Sequence, residues 1–175
     1  YNDLKLLLRS IELYHSNIPI YLLCDSWIYN KIKNNKYNLD INMKINLDKY
    51  TYLNRKNMEE QDIFVEFLLK KADVMEYALN DYKSTLYIDS DIVLLNEMDL
   101  LVEKTYDVAL SPHKITKESA DKFGYYNAGF MGIFNIDILD YWRNIVKKRT
   151  TFDDQQALDF FENEFKVYKF DDSYN

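Results

Sequence analysis

Cysteine is nearly absent from the sequence: Cys24 stands alone, which excludes an internal disulfide and any cysteine-built metal cluster. Proline is confined to Pro19 and Pro112, glycine to Gly124, Gly129 and Gly132, and histidine to His15 and His113. A chain this poor in proline and glycine shows no linker tract, and its 175 residues read as one domain over 1–175 with a core of its own. No apolar run nears the roughly 18 residues needed to cross a bilayer, and nothing near the start resembles a secretion signal. The chain reads as soluble, its compartment cytoplasmic or unknown. Positive charge is also in deficit. A net charge of -7 argues against a general binder of phosphate backbones, so no nucleic-acid partner is expected. The sequence opens at Tyr1 rather than Met, which points to an N-terminus that was processed or lies upstream.

Tyrosine, by contrast, is abundant, with 16 copies. Plain compositional bias and packing account for most of them, because aromatic side chains carry much of any core. Leu4, Leu7, Leu8 and Ile11 recur at helical spacing and predict an amphipathic helix over 2–15. "IPIYLLCD" (18–25) predicts a strand ending in an acid. A short helix near 27–33 and an edge strand near 39–47 follow. The longest helix is expected over 60–80, with Ile63, Phe67, Leu68, Val74, Met75 and Leu79 inward. Strands are then expected at 86–95, 106–111 and 126–134, helices over "IDILDYWRNIVKK" and "DDQQALDFFENEF", and a last strand at "KVYKF". Strands alternating with helices predict an α/β fold with helices on both faces of the sheet.

Within the strand-like run "LYIDSDIVLL", Asp89 and Asp91 break the apolar pattern. In an extended chain residues two apart share a face, which would set the carboxylates about 6–7 Å apart. At an effective dielectric near 20 their repulsion is roughly 2–3 kcal/mol. Either the pair lies in a solvated turn, or a bound cation offsets the charge. Two carboxylates with phosphate oxygens and water suit Mg2+ or Mn2+, which would bridge the pair to a diphosphate. In open α/β sheets ligands bind beyond the carboxyl ends of strands, where this pair falls.

"YYNAGFMGIF" carries Gly129 and Gly132 inside another strand-like run. Glycine weakens a strand unless the chain bulges or something approaches its backbone. The two readings are a bulge and a backbone running beside a sugar or nucleotide, with Asn127 placed to hydrogen-bond it. In "TFDDQQALDFF", capping by Thr151 or Asp153 and the helix macrodipole explain the acids Asp153 and Asp154, but they do not explain Gln155 and Gln156. Lys70 and Lys71 precede the Asp pair; one of them could reach a phosphate. His15 and His113 read as ordinary histidines, His113 keeping interest as a further ligand.

Taken in order, Lys71, "LYIDSD", "YYNAGFMGIF" and "DDQQAL" resemble the GT-A fold glycosyltransferases, most closely the family 8 type that uses nucleotide-diphosphate sugars. The resemblance covers about residues 60 to 170. It implies a Rossmann-like, mixed but mostly parallel sheet. Asp89 and Asp91 would hold Mn2+ or Mg2+, with Asp89 and Ser90 also at the donor. Lys71, Asn127, Ala128 and Gly129 would line the donor's phosphates and sugar. Asp154 and Gln155, assisted by Asp153, would stand beside the anomeric carbon. The implied reaction moves a hexose from a nucleoside diphosphate, with UDP the first candidate, to a hydroxyl of a glycan, lipid or protein acceptor, with retention. Family members also carry a first strand, a late histidine ligand and a Lys-Pro-Trp segment. This sequence shows none of these, so the first strand and the C-terminal part are expected to be missing.

Two other readings compete. "YIDSDIVLL" also resembles the haloacid dehalogenase-like phosphatases, with Asp89 as nucleophile and Ser111, Asp171 and Asp172 as later motifs; that reading leaves "NAGFMG" and "DDQQAL" unexplained. The third is a non-catalytic, sugar-nucleotide-binding remnant of the glycosyltransferase fold.

Overall fold

The computed structural model of the chain describes residues 1–98, 105–113, 116–148 and 154–171, with Ser119 described in its backbone only. They form two compact units, Tyr1–Ile63 with Asp89–Leu100 and Phe64–Ile88 with Leu101–Asn175. The fold is mixed α/β with two sheets.

In the first unit, α1 (Asn2–Tyr14) buries Leu4, Leu7 and Leu8 on one stripe, as the spacing predicts. The stripe then turns to Ser10 rather than Ile11. The Ser10 hydroxyl donates to the Leu7 carbonyl at 2.8 Å and accepts from the Leu94 amide at 3.0 Å, which satisfies a buried polar group. β1 (Ile20–Cys24) and β2 (Ile41–Ile45) pair in parallel, with Ile20 opposite Ile41 and Cys24 opposite Ile45. Between them α2 (Ser26–Lys33) starts where Asp25 accepts a hydrogen bond from the Ile28 amide at 2.7 Å. Burial lifts the Cys24 thiol to about 11, so the lone cysteine is an unreactive core residue. Leu4, Leu8 and Ile32 form the centre of this core, with Ile20, Leu22, Ile41 and Met43 packed around them.

A single helix over 60–80 does not form. α3 (Arg55–Glu60) is opened by a capping box between Asn54 and Asn57 and ends in a left-handed turn at Asp62, φ 59°. The Asp62 amide reaches the Glu59 carbonyl and the Ile63 amide the Met58 carbonyl, a Schellman closure with aspartate where glycine is usual.

The second unit resumes with α4 (Phe64–Leu68) and α5 (Lys70–Leu79). The buried stripe there is Leu69, Ala72, Met75 and Ala78; of the residues expected inward, Met75 is buried and Leu79 packs against the core, while Ile63, Phe67, Leu68 and Val74 are only half-buried. β3 (Thr85–Ile88), β4 (Val108–Pro112), α6 (Lys117–Phe123), β5 (Tyr126–Ile133), α7 (Asp137–Lys148), a 3-10 helix (Gln156–Asn163) and β6 (Val167–Lys169) follow. The sheet order is β3-β5-β4-β6. β5 runs antiparallel to both neighbours while β4 and β6 pair in parallel, so β3, β4 and β6 share one direction, β5 alone is reversed, and the sheet is mixed. α7 buries Ile138, Leu139, Trp142 and Val146, and with Val108, Leu110, Met131, Leu158 and Phe161 they make the core. Arg143 ties α7 to α5 through Asp73 (3.0 Å) and Glu76 (2.6 Å). No helix among the described residues is long and apolar enough to cross a membrane.

Candidate functional site

β3 stops at Ile88, so Asp89 and Asp91 do not share a strand face. The chain turns at once: the Ile92 amide donates to the Asp89 carbonyl at 3.1 Å. The extended geometry behind the predicted repulsion is therefore absent. "IVLL" leaves the sheet, and of its residues only Leu94 is buried. Asp89 is half-buried, while Ser90 and Asp91 are exposed. Among the described residues no group of three or more His, Cys, Asp or Glu side chains gathers around one point. The donor set at this turn, two hard carboxylates with water-accessible surroundings, fits Mg2+ or Mn2+.

The other selected motifs meet in the second unit. Lys71, on the first turn of α5, places Nζ 3.1 Å from Asp154 Oδ2 and 3.3 Å from the Ala128 carbonyl. Its ammonium also lies 5.6 Å from the Tyr87 ring centre. Asp154 is 7% exposed, and a carboxylate that deep requires a partner; Lys71 supplies it. The Asp154 backbone is fixed as well, because its carbonyl accepts the Trp142 indole N–H at 2.9 Å. Asp153, the expected assistant, lies outside the described residues.

Ala128 is within reach of Lys71 because β5 bulges there. Asn127 pairs with Ser111 and Met131 with Leu110, so three residues of β5 stand between two consecutive residues of β4. Phe130 is taken up by β3, opposite Ile88. The Gly129 amide, drawn out of the ladder, donates to Asn127 Oδ1 at 2.7 Å. The bulge reading of "NAG" therefore holds, and the Asn127 oxygen braces it. Gly132 has a different reason: a Cβ there would sit 3.2 Å from Ala109 Cβ and 3.3 Å from the Phe134 ring, so it is small for packing. In register, the bulge lies just past Ile88 and beside Ser111 and Pro112, at the carboxyl ends of β3 and β4.

The two glutamines also find their explanation. Gln155 Nε2 donates to the Phe123 carbonyl at 3.0 Å and Gln156 Nε2 to the Lys122 carbonyl, satisfying the open C-terminal carbonyls of α6. Sequence reasoning missed this because "KESADKF" has no apolar stripe to reveal α6. Gly124 ends that helix at φ 97°, and a Cβ on it would meet Gln156 Cα at 3.0 Å.

Beside these lies a cluster the sequence did not announce. The Tyr126 hydroxyl donates to Glu162, which also pairs with Lys169 at 2.9 Å. Burial, then the Glu162 hydrogen bond, pushes the Tyr126 phenol far above its ordinary range. The same hydroxyl, with Lys169, holds Glu162 below the usual carboxylate value. Asp159 accepts the Tyr125 amide at both oxygens, 2.9 and 3.1 Å, yet burial of its inner face keeps its carboxyl above the ordinary value. His15 is a packed histidine whose Nε2 accepts the Met98 amide at 3.0 Å. Ser111, which the phosphatase reading requires at a substrate, is wholly buried in β4. Asp171 of that reading is exposed, and Asp172 lies outside the described residues. No protein-family model matches the chain, and no curated protein matches it.

Proposed function

We propose that the chain is a metal-dependent glycosyltransferase of the GT-A type, moving a hexose from a nucleoside-diphosphate sugar, UDP-sugar first, to an acceptor hydroxyl with retention. One observation carries the reading: Lys71, the "NAG" backbone and Asp154, chosen from three distant segments for one chemistry, meet within 3.3 Å at a strand bulge. A motif match by chance does not require that convergence.

Asp89 and Asp91 would hold a Mn2+ or Mg2+ ion, which would supply neutralisation of the departing diphosphate. The chain's own groups do the rest. Asn127 and the Ala128–Gly129 backbone line the transferred sugar. Asp154 stands beside the anomeric carbon and stabilises the positive charge that develops on the ring. Lys71 fixes the Asp154 carboxylate in place, and a group held before reaction costs no reorganisation during it. Gln155 gives its Nε2 to Phe123, so any contact it makes with the sugar would come from its Oε1. Neither role requires a strong general base.

Calorimetry with manganese and UDP, UDP-glucose or UDP-galactose tests the proposal, followed by donor hydrolysis. Metal-dependent nucleotide binding with turnover is expected. Binding without turnover selects the non-catalytic remnant, and no nucleotide binding under any of these conditions rejects both readings.

A further inference from the structure

Around Gly124, Tyr125 and Gln156 the second unit holds an open cavity of about 630 Å³. That volume falls within the roughly 300–1,000 Å³ of small-molecule sites. α6 supplies Lys117 and Asp121, the turn just before β5 supplies Tyr125, and the 3-10 helix supplies Gln156, Asp159 and Phe160. Gly124 also lines the cavity, and its missing Cβ lets the corner press onto Gln156.

The chemistry of this wall is specific. Two aspartates against one lysine disfavour a phosphate. Aromatic surface from Tyr125 and Phe160 beside short, hydrogen-bonding side chains suits a ligand with one apolar face and many hydroxyls. Asp159 accepts from the Tyr125 and Tyr126 amides, and a carboxylate with about four lone-pair sites keeps acceptor capacity beyond these. His113, which closes the cavity at the end of β4, has its Nε2 buried without a hydrogen-bond partner among the described residues. A buried ring nitrogen left unmatched is costly, and a turn of the ring into the cavity would bring it to a ligand hydroxyl.

We propose that this cavity is a saccharide-binding subsite for a neutral, hydroxyl-rich sugar ring. The proposal rests on the glycosyltransferase reading only in making that ring part of the acceptor; the binding itself stands on the cavity. It narrows the acceptor to a glycan.

The test is an NMR titration of the full chain with glucose, galactose, N-acetylglucosamine and lactose, and separately with glucose 6-phosphate, without nucleotide or metal. At least one neutral sugar should shift the Ala120 and Tyr125 amides saturably. Asp121→Asn, a change at an exposed position, should leave Tm unaltered and weaken that binding about tenfold. The proposal is overturned if no neutral sugar perturbs these amides, if glucose 6-phosphate binds more tightly than glucose, or if Asp121→Asn binds as well as the parent. Calorimetry with manganese and UDP on the same protein separates the two readings. Sugar binding without nucleotide binding keeps the subsite and removes the transferase; nucleotide binding without sugar binding removes the subsite alone.

Discussion

Lys71 and Asp154, 83 positions apart in the chain, form an ion pair at 3.1 Å whose side chains are only 18% and 10% exposed. The pair is buried enough that losing one partner strands a charge. Lys71→Met should therefore destabilise the fold by about 2–4 kcal/mol, somewhat below the 3–5 kcal/mol of a fully buried pair. Adding Asp154→Leu should recover part of that loss. Urea unfolding of both single variants and the double checks it; additive losses would mean that the contact carries no coupling.

Asp91→Asn should behave in the opposite way. The side chain is exposed in a turn, so stability should stay within about 0.5 kcal/mol of the parent. Manganese-dependent UDP binding should fall at least tenfold, because one of two carboxylates has lost its charge. Unchanged manganese affinity would remove Asp91 from the metal site.

Gly124→Ala should cost about 1–3 kcal/mol, since the position needs φ 97° and a Cβ would press on the backbone of Gln156 at 3.0 Å. Asp62→Gly should stabilise by up to about 1 kcal/mol, because Asp62 holds φ 59° at the close of α3. Thermal unfolding of the two variants gives shifts of opposite sign. A fall for both would show that the Asp62 carboxylate matters more than its backbone.

Asp159 sets a pH dependence. Its carboxyl is raised above an ordinary 3.8, chiefly by burial. The folded protein thus holds this proton more tightly than the unfolded chain. The contribution of Asp159 to stability is complete below the ordinary value and declines as pH rises through the raised one. Glu162, lowered from 4.5, acts the other way: its contribution is present above that value and fades as acid protonates it. In Glu162→Gln the acid limb of the stability curve should flatten, whereas in Asp159→Asn the decline above the ordinary carboxylate range should vanish. Chemical unfolding across the acid range measures both.

Much of the fold was legible where one physical rule acts alone. The Leu4, Leu7 and Leu8 stripe fixed α1, and the acid Asp25 marked the end of β1, where the structure makes it the cap of α2. The 60–80 segment misled because its apolar residues fit a helix, while the break at Asp62 depends on a left-handed residue that no glycine advertised. The antiparallel course of β5 was hidden for a related reason: a strand buried on nearly every residue looks alike in either direction. At the site, Lys71, Ala128 and Asp154 were identified from their motifs, and the structure brings them together. The jobs of Gln155 and Gln156 were not legible, because their partners are backbone carbonyls of a helix without a pattern.

The bulge at Ala128 and Gly129 divides β5 into two independently set lengths. Phe130 to Ile133 are held by β3, and all but Phe130 by β4 as well, while Tyr126 and Asn127 answer to β4 alone. A strand normally transmits any slip along its whole length and turns every side chain over. Here the slack at the bulge absorbs it. Substitutions at 126–129 can retune the chemistry at the mouth of the sheet while Met131 and Ile133 stay seated in the core, leaving the stretch open to evolutionary change.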